Sequence, residues 1–208
     1  MPSQQEMYDA LVERQGKELT DRLGKACIAV CGLGGLGSHI AICLARAGIG
    51  RLILIDFDTV DISNLHRQQY RASQVGMKKT EALEHILKEI APYVVLETHT
   101  VKMTEENTCD LVKEADIVCE AFDDAQSKAM LVNTVLETFP KKYVIAGSGM
   151  AGIGSTEELC IKHAMKHLYI CGDGRSDVKI EGSLVASRVM VCAGMQAHTA
   201  IRILAGEE

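Results

Sequence analysis

The sequence predicts an α/β chain of Rossmann-like architecture: one mostly parallel sheet, helices on both faces, and an antiparallel C-terminal extension. Three observations carry this expectation. Short apolar runs alternate with amphipathic stretches from residue 25 to residue 146. The glycine cluster GLGGLG, residues 32–37, stands between one such run and a helical stretch. A second apolar run, RLILID at 51–56, follows that helix and closes a unit of about 30 residues, the length of one βαβ crossover.

Taken in order, residues 4–22 read as one amphipathic helix, with Met7, Ala10 and Leu11 at helical spacing among charges. Residues 25–31 have strand length, 38–47 form a helix stopped by Gly48, and 51–56 form the second strand. Residues 58–71 are polar and irregular, and a helix over 73–90 ends at Ala91-Pro92. A strand at 94–101, a helix at 105–114, a strand at 115–121, a helix at 125–139 and a strand at 143–146 continue the alternation. Beyond Gly147 the pattern changes. SGMAGIGS is Gly-rich, 158–161 reads as a short antiparallel strand, 162–183 as a mobile loop, and 184–204 as a core helix. With no linker or repeat, residues 1–208 are expected to form a single domain.

Composition removes several function classes. Net charge is −6, without the basic excess of a nucleic-acid binder, and 4% aromatics with no Trp leaves no stacking platform. No run reaches the length of a membrane span, and the polar start MPSQQEMYDALVERQ lacks the apolar core of a signal peptide. A cytoplasmic protein with neither membrane nor nucleic-acid partner is therefore expected. Eight Cys occur without any C-x-x-C pair, so zinc is not expected, and most sit in apolar runs as small hydrophobes.

Two constellations carry chemistry. In a strand–turn–helix context Gly32, Gly34, Gly35 and Gly37 permit a tight turn and close approach of backbone N–H groups to phosphate. Asp56, 19 residues after Gly37, is placed to hold a ribose hydroxyl. ATP and dinucleotides both use this device, and the P-loop pattern is absent because Ser38 follows Gly37. The second constellation is DFDTVDISNLHRQ, Asp56 to Gln68. It sets Asp58, Asn64, Arg67 and Gln68 just past the ribose carboxylate, and amide donors and a guanidinium fork suit a triphosphate. A solvated loop with an Asx turn at Asn64 is the plain alternative.

DFDTVDISNLHRQ downstream of GLGGLG resembles the ATP-binding signature of the ubiquitin-activating-like superfamily, in particular the ThiF/MoeB adenylyltransferases, over essentially the whole chain. Short length and the YICGD stretch resemble the compact ThiF-like branch. The resemblance implies adenylation of the C-terminal Gly carboxylate of a ThiS-like, ubiquitin-fold sulfur-carrier protein ending in Gly-Gly. The reaction uses ATP and Mg²⁺, and the implied pathway is thiamine (thiazole) biosynthesis, with a sulfur-donor enzyme as a possible further partner. Asp56 would bind the ribose, and Asn64, Arg67 and Gln68 the phosphates. GMKKTEA resembles the family's G-x-x-K segment and assigns Lys79 to the phosphates, with Lys78 its neighbour. EAFDDAQSK resembles the family's metal-binding strand end, which assigns Asp123 to Mg²⁺ and leaves Asp124 as a helix cap. VERQ resembles the early arginine motif, so Arg14 is either an exposed helical residue or an arginine finger reaching the other subunit of a homodimer. The chain departs from larger relatives in lacking their zinc Cys pairs. Cys171 is either a packed thiol or a reactive one in a mobile loop, with Lys166, His167 and Arg175 nearby in sequence. Other readings are a molybdopterin carrier, a tRNA base or a small-molecule carboxylate as substrate, an NAD-dependent oxidoreductase, or a silent nucleotide-binding scaffold.

Overall fold

The computed structural model describes residues 1–207. Helices α1 (Gln4–Gln15) and α2 (Lys17–Lys25) precede β1 (Cys27–Cys31), α3 (Gly35–Ala47) and β2 (Arg51–Asp56). Then come α4 (Lys79–Ile90), β3 (Val95–Thr100), α5 (Glu105–Val112), β4 (Ile117–Glu120), α6 (Ala125–Thr138) and β5 (Tyr143–Gly147). The chain continues through β6 (Cys160–Met165), β7 (Leu168–Gly172), α7 (Val178–Glu181) and α8 (Ala186–Ala205). The strands form one seven-stranded sheet in the order β3-β2-β1-β4-β5-β7-β6. Every neighbouring pair is parallel except β6–β7. The fold class expected from the sequence is the one observed.

Alternation along the central strands builds a core on each face. Ile28 and Val30 of β1 join Leu44, Leu83, Leu87, Val189 and Ala197 under α3, α4 and α8. Ala29 and Cys31 join Val112, Leu131 and Val135 under α5 and α6. Because both faces are covered, β1 and β4 are buried at every residue and read in sequence as continuous apolar runs.

Three expectations need correction, the first being the helix over 73–90, which begins only at Lys79 after a 3-10 turn at Ala72–Gln74. The N-terminal helix is broken into two at Gly16, whose φ of 85° no helix accommodates. Residues 162–183 are not a loop: most of them form the β6–β7 hairpin and α7. The sequence hid the hairpin because β6 is an edge strand exposed at all six positions, so it shows no apolar alternation.

Helix α8 carries Gly194 in its interior, and a methyl group there would meet nothing within 4 Å. Gly194→Ala should therefore stabilise the fold by about 0.5–1 kcal/mol through reduced backbone entropy in the unfolded chain. A thermal melt would show a rise of about 1–4 °C for a chain of this size. A lower Tm would refute the open-face reading.

Candidate nucleotide site

The parallel strands end together at one edge of the sheet, and neighbouring crossovers from β1 and β4 leave on opposite faces there, the point at which ligands enter such sheets. Glycine is obligatory in the turn after β1. Gly32 has φ 91°, and a Cβ on Gly37 would lie 1.8 Å from the Gly32 carbonyl oxygen. That contact lets α3 start directly against the strand end, with its N-terminal N–H groups facing the crevice.

Asp56 closes the other side of the turn. Its Oδ2 accepts from the Leu33 N–H at 2.6 Å and its Oδ1 from the Asp58 N–H at 2.8 Å. Each oxygen keeps a further lone pair, which leaves capacity for a diol. Lys79 is the first residue of α4, and its side chain is only 7% exposed. Its Nζ donates to Asp58 Oδ2 at 2.8 Å, and its backbone N–H donates to the Asp58 carbonyl. Asp58 is thus the partner that holds Lys79 in place. Lys78 is exposed at the N-cap, which separates the two lysines.

Gln68 is buried, and its Nε2 stands 3.8 Å from where a Gly34 Cβ would be. Its Oε1 has no hydrogen-bond partner, an unmet acceptor beside the phosphate turn. Arg67 lies half-buried against the same turn, its Cδ 3.7 Å from a built Gly35 Cβ, and Nη1 donates to the Ser63 carbonyl at 3.1 Å. Asn64 Oδ1 accepts from the Asp61 N–H at 3.0 Å and caps a short 3-10 turn. The turn glycines, Asp56, Asp58, Arg67, Gln68 and Lys79 therefore come together. The tight turn with its backbone N–H groups and the buried lysine fit a nucleotide polyphosphate.

Asp123 and Asp124 follow β4. Asp124 caps α6, accepting from the N–H groups of Gln126 and Ser127, as its position suggested. Asp123 is exposed, and among the described residues its carboxylate has no hydrogen-bond or ion-pair partner, so it fits a cation brought with phosphates. Among the described residues no group of three or more His, Cys, Asp or Glu could hold a metal ion by itself.

Arg14 is not brought to this site. Its side chain is 84% exposed and pairs only with Glu13, at 3.9 Å. The adjacent Gln15 donates to the Ala47 carbonyl at the far end of α3. With 1.5 Å per residue, that end lies about 20 Å from the phosphate turn, so Arg14 does not reach the site of its own chain. Cys171 lies in β7 with 0% exposure, and burial pushes its thiol up to about 12 against a hydrogen bond from Thr199. It is a packed core residue, and thiolate chemistry at this position is corrected accordingly.

Sequence reasoning missed four residues. Tyr70 donates to the Leu33 carbonyl at 2.7 Å and braces the turn. Glu120 and Lys128 form an ion pair at the end of β4, its carboxylate buried. Burial raises the Glu120 pKa, and Lys128 opposes that rise. Arg188, 4% exposed, donates to Asp173 Oδ2 at 2.6 Å and to the Ser155 carbonyl at 2.8 Å. It pins the Gly-rich segment after β5 to the turn after β7. Burial raises the Asp173 pKa, but the Ser176 and Arg175 N–H groups, the Ser176 hydroxyl and Arg188 together hold it well below the usual carboxylate range. For Glu120, Lys128 and Arg188 the signal was a charge placed at the end of, or inside, an apolar segment; Tyr70 had none.

Fold and site define a Rossmann-like nucleotide-binding protein whose crevice is furnished for phosphate rather than for hydride transfer. The ThiF family model matches residues 8–208, and the chain belongs to the ThiF family. It is 30% identical to ubiquitin-like modifier-activating enzyme 5 of Arabidopsis thaliana, over 95% of this chain and 52% of that protein. It is 34% identical to adenylyltransferase and sulfurtransferase MOCS3 of Anopheles gambiae, over 62% of this chain and 29% of that protein. The chain thus spans about half or less of these curated relatives. Among solved structures, E. coli tRNA N6-threonylcarbamoyladenosine dehydratase TcdA in complex with ATP superposes with a TM-score of 0.87 at 20% identity, covering 98% of this chain and 95% of that one. E. coli MccB with ATP gives 0.73 at 21%, covering 97% and 64%. These two likenesses are of fold.

Proposed function

We propose that the chain adenylates a C-terminal glycine carboxylate of a ThiS-like, ubiquitin-fold sulfur-carrier protein, consuming Mg·ATP and releasing pyrophosphate, in the thiamine branch of cytoplasmic sulfur transfer. The observation that carries this reading is Lys79, buried and held by Asp58, which is tied through Asp56 to the glycine turn. A dinucleotide oxidoreductase would leave the stretch SNLHRQ together with Lys79 unexplained. Membership of the ThiF family and similarity to named adenylyltransferases support the class of reaction. The net charge of −6 favours a protein or small-molecule acceptor over tRNA.

In this reading residues 1–208 form the catalytic unit, and its work is positioning and charge neutralisation. Asp56 orients the ribose. The first N–H groups of α3, with Asn64, Gln68, Arg67 and Lys79, hold the phosphates and take up the charge that develops on pyrophosphate. Asp123 would hold Mg²⁺, which supplies Lewis-acid neutralisation of the phosphates. The acceptor carboxylate is ionised at neutral pH and needs no base. It enters over the ends of β4, β5 and β7, past the Gly-rich segment 147–154, whose glycines let it pack closely against Leu36, Asp173 and Glu181. Arg14 acts in a homodimer, on the site of the other subunit, because α1 holds it away from its own.

ATP–pyrophosphate exchange tests the reading. Exchange should appear when a carrier ending in Gly-Gly is added and vanish when its final glycine is deleted. Exchange that persists with the truncated carrier would reject the tail-in-crevice model, and none with any intact carrier would reject carrier adenylation.

A further inference from the structure

Glu120, the last residue of β4, has a side chain with 0% exposure. Lys128, one turn into α6, donates from Nζ to Glu120 Oε1 at 3.0 Å, to Oε2 at 3.1 Å, and to the Gly147 carbonyl at 3.0 Å. An ammonium has three donors, so all are committed. Glu120 Oε1 also accepts from the Phe122 N–H at 2.7 Å. Gln196 of α8 donates to the Glu120 carbonyl at 3.1 Å and to that of Ile145 at 3.2 Å. The ends of β4 and β5, the start of α6 and the middle of α8 thus meet at one ion pair, its carboxylate buried and its lysine side chain 25% exposed.

The segment between the two charges is held at both ends. Phe122 is tied to Glu120, and Asp124 is committed to capping, with Oδ1 accepting from the Gln126 N–H at 2.9 Å. Within it Asp123 alone presents an exposed carboxylate without a partner among the described residues. A buried ion pair is a weak source of net stability, since apolar residues of similar volume serve as well. What apolar residues lack is directional bonding that fixes three backbone segments relative to one another.

We propose that Glu120 and Lys128 are positioning residues that aim the Asp123 carboxylate into the crevice for a divalent cation carried on the nucleotide phosphates. The proposal rests on the adenylation reading and deepens it. Neither residue touches nucleotide: they act through the 121–124 segment, much as outer-shell partners orient a metal ligand.

The test is calorimetric ATP binding to the full chain, with Mn²⁺ and separately in EDTA, without acceptor. The ratio of the two affinities reports the metal contribution. Asp123→Asn serves as reference. Glu120→Gln/Lys128→Met removes both charges at similar volume, and Glu120→Gln is the milder variant should the double one not fold. The double variant should lose about tenfold of the metal enhancement and bind metal-free ATP as the parent does, with Glu120→Gln in between. An unchanged ratio in a folded variant, alongside a reduced ratio in Asp123→Asn, would overturn the positioning role and leave Asp123 as the metal ligand. An unchanged ratio in Asp123→Asn would overturn the assignment of Asp123 and the proposal with it. Equal weakening with and without metal would show a general disturbance of the site and likewise overturn it.

Discussion

Lys79→Ala should lower carrier-dependent ATP–pyrophosphate exchange by about 100-fold or more while the protein stays folded, the size expected when one preorganised charge leaves a water-poor site. The geometry separates the two effects. Lys79 Nζ sits in a crevice with 7% of its side chain exposed, and its one salt-bridge partner, Asp58, is 48% exposed. On losing the ammonium, Asp58 turns to water, so the loss in stability should stay within about 1 kcal/mol, the range of partly solvated pairs. A triphosphate has no such recourse, because among the described residues Lys79 is the one fully buried lysine. Lys78→Ala, one residue earlier and exposed, should leave exchange within about twofold, as surface substitutions do. Equal effects of the two substitutions would reject Lys79 as the phosphate lysine. Retained exchange in Lys79→Ala would reject the phosphate reading of the crevice.

Gly37→Ala should have the largest effect on stability, about 3 kcal/mol, at the upper end for overpacking because the colliding atom belongs to the backbone. The added methyl carbon would lie 1.8 Å from the Gly32 oxygen and 2.9 Å from its carbonyl carbon. Neither atom has a rotamer by which to retreat. Gly32 is itself fixed, since its N–H donates to the Ile55 carbonyl at 2.8 Å. Relief requires α3 to slide away from β1, out of its packing on α8. For a chain of this size the expected fall in Tm is about 6–12 °C. A melt within 2 °C of the parent would mean that the turn relaxes locally and that the close approach is not structural. Opposite shifts from Gly37→Ala and Gly194→Ala would show that contact, not glycine itself, sets the sign.

The sequence disclosed the half of the site that lies close together along the chain. GLGGLG and Asp56 are separated by one crossover, so spacing brings them together, and the stretch to Gln68 was assigned by its resemblance to the family signature. Lys79 was reached through the resemblance of GMKKTEA to the family's G-x-x-K segment, because the helix expected over 73–90 hid the fact that Lys79 opens it. The far half was hidden for the opposite reason. Glu120, Lys128, Gly147, Asp173, Arg188 and Gln196 come from five segments, and their contacts follow from the order of strands β4, β5 and β7, which no local pattern encodes. The placement of Cys171 in a mobile loop failed in the same way. LYIC is a buried strand of ordinary composition, but flanking Lys, His and Asp made it look like a polar loop.

The strand order has a consequence for the sequence of events during folding. The crevice is bounded by β1 and β2 from the first third of the chain and by β7 and α8 from the last. Pairings of such long sequence separation incur loop-closure entropy before they are rewarded, and they form late. Nucleotide affinity therefore matures only when the final helix docks, and a chain stalled after β5 would hold the glycine turn without the wall that faces it. Ligand added during refolding acts on the last step rather than the first, drawing the completed state forward by mass action.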